Sequence, residues 1–393
     1  MKIMQRLLGA TVISGLSLLS TQNAHALTGP QSITLDGGPL GTLELSGGAD
    51  GLAYYQTGTG SKSLLGDRDT GANLGSAEIR LSKTSGIVQF DIQIAALGGT
   101  SALGTAPGRA GVNFYITGPV KLATITIAPP GSPVTLTAGH VGSLEGYEDF
   151  VDYNNANIFQ SDLWYVENSN SRGVSLNYNQ GPVAATVTFG DGWDTGVFNF
   201  LQALGTYTFD SHNSLSIYYG GNLGRTGLQA LTYGTNNGVR NTVGGYGANY
   251  INSQMLGGYY QYNTGNLSLV PEVQYVYAKP DHRLGIQKFT SNLGALLIAD
   301  YAFSNTPYSL AGDVQYFDSI GTTAHSADNW FIAPGAEGIG LQLTPTWQYK
   351  NLFSRVSAGY VYLINSGTSA AGYGDNGHGR NVFQAALEGG VLF

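Results

Sequence analysis

The segment Phe383 to Phe393, FQAALEGGVLF, alternates with a period of two. Phe383, Ala385, Leu387, Gly389, Val391 and Phe393 form an apolar or small face, and Gln384 and Glu388 fall on the other. That period puts successive side chains on opposite faces of an extended strand. Such a strand must cover its apolar face or hold it in a nonaqueous medium. It fits an edge strand of a soluble sandwich, or a strand whose apolar face meets lipid.

The first residues favour export. Lys2 and Arg6 precede an apolar run from Leu7 to Leu19, and Ala24-His25-Ala26 follows. A charged start, a short apolar stretch and an A-x-A site read as a cleaved signal peptide over residues 1–26. The apolar run is 13 residues long. At 1.5 Å per residue that is too short for an anchor helix to cross about 30 Å of hydrocarbon. Residues 27–39 then read as a short periplasmic lead, and 40–393 as one domain with no linker or composition break.

Composition narrows the class. The chain has no cysteine, which rules out disulfides, thiolate metal sites and cysteine nucleophiles. No segment beyond the leader approaches about 18 uninterrupted apolar residues, so helical membrane spans are excluded. Alternating strands are not excluded, because their hydropathy averages away. Charged residues make up 11% of the chain, against roughly a quarter in a typical soluble protein. That shortage suits an exterior facing lipid. The net charge is −8 and becomes more negative once Lys2 and Arg6 leave. Without a basic run, nucleic acid is not an expected partner.

The terminal strand resembles that of Gram-negative outer-membrane β-barrels, where the last strand closes the barrel and is read by the barrel-assembly machinery. Phe383, Leu387, Val391 and Phe393 carry this resemblance. It implies an all-β fold, a transmembrane antiparallel up-and-down β-barrel, with outer-membrane lipid around it. Counting strands backward from Phe393 gives hairpins joined by short turns at Lys350-Asn351, Ser304–Pro307, Thr264–Asn266, Asp210–His212 and Gln180–Pro182. The links between hairpins are longer and belong outside the cell. Near the N-terminus the count is ambiguous. Gly111–Thr117 and Val120–Ile127 taken separately give 17 strands; taken as one strand with a bulge at Gly118-Pro119 they give 16. Bacterial single-chain barrels have an even number, so about 16 strands are expected, with 14 or 18 as alternatives.

Parity predicts the two faces. Ile79, Leu81, Phe90, Ile92, Ile94, Leu215, Ile217, Tyr219, Leu267, Leu269, Val273, Tyr275, Leu341, Leu343 and Trp347 are expected toward lipid. Glu78, Arg80, Gln89, Asp91, Gln93, Glu272, Gln274, Asp300, Asp313, Gln315, Gln342, Gln348 and Arg355 are expected toward a wet interior. Tyr54-Tyr55, Tyr218-Tyr219, Tyr259-Tyr260, Tyr275, Tyr277, Tyr360 and Tyr362 sit near strand ends and are expected in interfacial girdles.

With 16 strands the third outer loop is Gly142–Ser171. It is long and carries Glu145, Glu148, Asp149, Asp152, Asp162 and Glu167 with no Lys or Arg. A 16-strand barrel is wide enough for a water channel. A long acidic loop folded inward would narrow that channel and favour cations. The expected constriction is Glu145, Glu148, Asp149 and Asp152 opposed by Arg80, Lys121 and Arg355. Arg172 shares parity with outward Val174, which makes a snorkelling interfacial role the better reading.

The stretch Gly139–Pro182 resembles the OmpL-like β-barrel porin family. The matching residues are Gly146 with Glu148, then Asn155, Asn157, Leu163 and Trp164, then Arg172, Gly173 and Val174. The family's first strand is matched by Ser46–Gln56, with Asp50, Gly51, Tyr54, Tyr55 and Gln56. Ser171 departs from the pattern, which has Asn at that position. The resemblance implies an outer-membrane porin with a loop entering the pore. Its implied partners are small hydrophilic solutes or ions, and a homotrimer is one candidate assembly. It names no solute and no cofactor.

Enzymatic readings find little support. There is no H-E-x-x-H and no G-x-S-x-G, and the histidines are scattered among turns and loops. A structural or adhesive barrel without an open pore is the competing function. Deleting Phe393 should impair assembly while leaving export intact. Heat-modifiable mobility of the outer-membrane fraction checks this, and normal barrel levels would contradict it.

Overall fold

The computed structural model describes residues 27, 29, 32–97, 99–108, 119–167, 170–227, 248–321, 330–367 and 372–393. Its strands are β1 (Ile33–Asp36), β2 (Thr42–Gln56), β3 (Thr70–Lys83), β4 (Val88–Ala96), β5 (Val120–Ile127), β6 (Val134–Gly142), β7 (Asn170–Gln180), β8 (Val183–Gly190) and β9 (Phe200–Thr208). They continue as β10 (Asn213–Asn222), β11 (Gln254–Thr264), β12 (Leu267–Ala278), β13 (Thr290–Ala302), β14 (Tyr308–Ile320), β15 (Ala336–Tyr349), β16 (Leu352–Ser366) and β17 (Asn381–Leu392).

From β2 onward each strand pairs antiparallel with the next, and β17 returns to β2. The result is a closed barrel of 16 strands plus one extra strand. The closing ladder runs from Leu392↔Gly48 to Gln384↔Gln56. Phe393 extends it, since its amide donates to Gly47 O at 2.9 Å and its carbonyl accepts from Gly47 N at 2.7 Å. Below that point β17 has ended, and β1 pairs with Thr42–Leu45 instead. Backbone groups in or near hydrocarbon need such partners. The even count holds in the structure. Residues 111–118 of the expected long strand lie outside the described residues, and β5 begins at Val120.

One end of the barrel carries short connections such as Gly181-Pro182, Gly265-Asn266 and Lys350-Asn351. Gly181 adopts φ +60° at the first position of its two-residue turn, a conformation that costs glycine little. The other end carries the long connections, including 57–69, 143–169, 223–253 and 367–380. This asymmetry is that of bacterial outer-membrane barrels, with short turns at the periplasmic side.

The faces follow parity. Ile79, Ile92, Ile94, Leu215, Ile217, Val273, Tyr275, Leu341 and Leu343 are exposed on the outside, while Glu272, Gln274, Asp300, Asp313, Gln315, Gln342 and Arg355 are buried within. Phe383, Leu387 and Val391 of the terminal strand point outward, and Gln384 and Glu388 point inward. Aromatic pairs mark the short-turn rim. The ring centroids of Tyr207 and Phe209 lie 5.0 Å apart, those of Tyr301 and Phe303 5.3 Å, and those of Trp347 and Tyr349 6.5 Å. The girdle assignment needs correction at three tyrosines. Neighbours in a strand face opposite ways, so one member of each adjacent tyrosine pair must point inward. Tyr218 and Tyr259 are buried in the interior and Tyr54 packs against an interior cluster, whereas Tyr55, Tyr219 and Tyr260 take the outer face.

Val273 lies in the lipid-facing row of β12, 55% exposed. Val273→Arg should cost about 2–4 kcal/mol of barrel stability, read from denaturant unfolding in lipid vesicles. An unchanged midpoint would place Val273 off the lipid face.

Candidate functional site: a loop docked inside the barrel

The connection from β6 to β7, described over residues 143–167, folds into the barrel instead of standing above it. Carboxylates and amides within the loop set its local shape. Asp149 accepts from the Val151 amide at 2.9 Å and from Asn154 Nδ2 at 2.9 Å. Its own amide donates to Asn155 Oδ1 at 2.7 Å. These short-range bonds tighten the chain into a one-turn 3-10 helix at Asp152–Asn154. A second one-turn helix, Asp162–Tyr165, is capped by Ser161. Glu148 holds that cap by accepting from the Ser161 amide at 3.0 Å.

The loop is fastened to the wall by both polar and apolar contacts. Arg355 of β16 is fully buried. Its Nε donates to Glu388 Oε2 at 2.7 Å and its Nη2 to Glu388 Oε1 at 2.9 Å, a forked pair with the adjacent strand β17. Its Nη1 donates to the Asn155 carbonyl at 2.7 Å and its Nη2 to the Asp152 carbonyl at 3.2 Å. Asn157 Nδ2 donates to Asp313 Oδ2 of β14 at 2.8 Å, and Asn157 Oδ1 accepts from Thr344 Oγ1 of β15 at 2.8 Å. Gln342 Nε2 donates to the Phe159 carbonyl at 2.7 Å, and the Asp162 amide donates to Gln315 Oε1 at 2.9 Å. Between these bonds, Leu144, Leu163 and Val166 join Val270, Val276, Leu296 and Ile298 of the wall in one buried cluster. Ile158 and Phe159 join Phe317, Val361 and Leu363 in another. Burying one such side chain stabilises by about 1.5–3 kcal/mol, so apolar packing contributes at least as much as the polar bonds.

A second segment enters beside it. Residues 99–108, after β4, meet the loop through a parallel bridge between Ala102 and Gln160. Leu103 N donates to Gln160 O at 2.9 Å, and Gly104 N donates to Gln384 Oε1 of β17 at 2.7 Å. Asn73 of β3 holds the same segment, its Nδ2 donating to Gly108 O at 2.6 Å. The sequence reading missed this insertion. The available signal was an outer connection with almost no charge but with Leu97, Ala102 and Leu103.

The residues expected at the constriction are found as follows. Glu145 is buried, its carboxylate lying against Gly220 of β10. Glu148 and Asp149 are half-buried and brace the loop itself. Asp152 is buried where the loop meets β3 and β16. Arg80 pairs with Asp91 of β4, Nε to Oδ1 at 2.8 Å. Lys121 is buried with Nζ 4.6 Å from the centre of the Phe150 ring, a cation–π contact with the loop. Arg172 lies half-buried near the loop end of β7 and pairs with Asp191, Nε to Oδ2 at 2.8 Å. Burial pushes the Glu148 carboxyl up to about 7, against hydrogen bonds from Ser161 that pull it down. Burial also raises Asp162 and Glu167 well above the usual carboxylate range; the neighbouring Glu272 adds to the rise at Glu167. Among the described residues, Asp50, Asp152 and Glu388 are the carboxylates close enough together to share a metal ion.

Arg355→Met should leave Glu388 buried without its counter-charge, at a cost of about 3–5 kcal/mol. It should also release the loop at Asp152 and Asn155. Thermal unfolding reads the first effect and limited proteolysis within 143–169 the second. The double variant Arg355→Met, Glu388→Leu should recover stability but not loop protection. Loop cleavage at the wild-type rate in both variants would contradict this role.

The geometry can be set beside known proteins. The family described as "Putative beta-barrel porin-2, OmpL-like" matches residues 42–393. Comparison with curated proteins gives no match. An anion-selective porin from Comamonas acidovorans superposes with a TM-score of 0.56 at 12% identity, covering 89% of this chain and 99% of that one. The outer membrane channel DcaP of Acinetobacter baumannii gives 0.55 at 12% identity, over 89% and 97% of the two chains. Salmonella typhi OmpF, in a complex with daunomycin, gives 0.53 at 16% identity, over 92% and 100%. At these identities the likeness is one of fold. The family match extends from the start of β2 to the terminal Phe393 and includes the docked loop, and on that ground the chain belongs to the OmpL-like β-barrel porins of the outer membrane.

Proposed function

We propose that the barrel is a passive diffusion channel for small hydrophilic solutes and ions, and that it prefers cations. The observation that carries this reading is the charge of its interior. The docked loop brings Glu145, Glu148, Asp149 and Asp152 inside, where the wall already presents Glu272, Asp300, Asp313 and Glu388. Among the described residues the inward cations are fewer and engaged: Arg80 with Asp91, Arg355 with Glu388, and Lys121 on Phe150. A low-dielectric passage edged by carboxylates attracts cations and repels anions. The leader 1–26 and the outward face of Phe383, Leu387, Val391 and Phe393 belong to the same reading, as the means of export and of barrel assembly.

One observation favours a second reading. Two segments, 99–108 and 143–167, dock in the lumen and bury wall side chains, as a closed structural or adhesive barrel would require. Planar-bilayer recording of the refolded protein separates the two. Ohmic steps with a cation-selective reversal potential in a salt gradient support the channel; silence at all voltages supports the closed barrel.

The isosteric set Glu145→Gln, Glu148→Gln, Asp149→Asn and Asp152→Asn should lower cation-over-anion permeability, and an unchanged reversal potential would remove the loop from the constriction. Selectivity should also depend on pH. Because burial pushes the Glu148 carboxyl up to about 7, it should be charged well above that pH and neutral well below it. Cation preference should fall between pH 8 and pH 6, and Glu148→Gln should flatten that change.

A further inference from the structure

We infer that Asp50, Asp152 and Glu388 form a divalent-cation site, of the calcium type, that clamps the docked loop to the seam where the barrel closes. Three elements meet there. Asp50 lies on β2, Glu388 on β17, and Asp152 on the loop between β6 and β7. Their relative exposures are 4%, 0% and 1%. One carboxylate oxygen from each lies within 4.8 Å of those of the other two. Calcium binds oxygen ligands at about 2.3–2.6 Å, so oxygens on opposite sides of one ion stand about 5 Å apart and all three fit a single coordination sphere. With only oxygen donors the site suits a hard cation over zinc or copper.

The local hydrogen bonding leaves room for an ion. Asp50 Oδ1 accepts from the Ser76 amide at 2.6 Å, and Asp152 Oδ1 accepts from the Tyr153 amide at 2.9 Å. The second oxygens, Asp50 Oδ2 and Asp152 Oδ2, are buried with no hydrogen-bond partner. Both converge over Gly75, where an added Cβ would collide with each of them. A bulge in β2 between Ala49 and Gly51 occurs at Asp50, the kind of irregularity that re-aims a side chain.

Charge leads to the same conclusion. Arg355 is the cation at this site, and its donors are committed to Glu388 and to the carbonyls of Asp152 and Asn155. With all three carboxylates ionised, one guanidinium leaves two negative charges in a buried setting, which a divalent cation would neutralise and a shared proton would only halve. Buried charges are paired or bind metals. Such an ion would tie the loop to β2 and β17 together, adding a second fastening beside Arg355 and resisting release of the loop from the lumen.

The test uses the full-length chain refolded into detergent without lipopolysaccharide, stripped with a chelator and titrated with Ca2+ by calorimetry. One saturable Ca2+ per chain is expected, together with faster proteolysis within 143–169 after chelation. Asp50→Asn with Asp152→Asn removes two ligands. Loss of one outer-shell group already costs 10–100-fold in affinity, so the drop here should exceed about 100-fold. Gly75→Ala keeps every charge but fills the space between the two oxygens, and should abolish binding in a chain that still shows barrel heat-modifiability. Asp67→Asn, in an exposed outer loop, should bind Ca2+ as the wild type does. Absence of a stoichiometric site in the wild type would overturn the inference and leave a proton shared between Asp50 and Asp152. Wild-type affinity in both the double variant and Gly75→Ala would overturn it equally. The calorimetry does not depend on conductance, so its failure is separable from failure of the channel reading.

Discussion

The structure depends on closure of β17 against β2. Hydrocarbon offers no hydrogen bonds, so a membrane sheet cannot keep an open edge. The ladder from Gly48 to Gln56 removes that edge, Phe393 extends it to Gly47, and β1 covers the part of β2 that β17 does not reach. Every other strand is then fixed in direction and parity. Closure also brings together Asp50 and Glu388, which are distant in sequence and become neighbours only across this seam.

The interior is held by a different balance. A loop of carboxylates would be expected to seek water, and here it is folded into the barrel and largely buried. The Arg355–Glu388 pair, the amides of Asn157, Gln315 and Gln342, and the apolar patches around Leu163 and Phe159 together offset that desolvation. A buried ion pair by itself seldom adds net stability, but it fixes position strongly because separating its members is costly. The loop is therefore placed by polar contacts and stabilised by apolar ones.

Much of this was legible in the sequence. Period-two alternation gave the strands and their faces, as at Ile79 against Glu78 and Leu341 against Gln342. Counting back from Phe393 left 16 or 17 strands, and the even number found in bacterial single-chain barrels decided for 16. The acidity of Glu145 to Glu167 marked the loop that enters the lumen. The misreadings have one cause, namely that a strand pattern describes two faces but not what covers the inner one. Tyr218 and Tyr259 read as girdle residues because aromatics near strand ends often are, yet they face inward, where Tyr147 of the loop packs against the cluster. Val270 and Ile298 are apolar positions on the inner face, and they belong to the one buried cluster that Leu163 and Val166 of the loop also join.

The sequence by itself determined that this chain is a cysteine-free, alternating-strand protein whose apolar faces suit lipid, because a periodicity of two and a shortage of charge are local properties. Only the tertiary structure decided where Asp152 meets Asp50 and Glu388, that residues 99–108 pair with Gln160 inside the lumen, and that Glu148 and Asp149 brace the loop itself. Those relations join residues up to hundreds of positions apart. No local pattern encodes them, because they exist only once the barrel has closed and given the loop a wall to dock against.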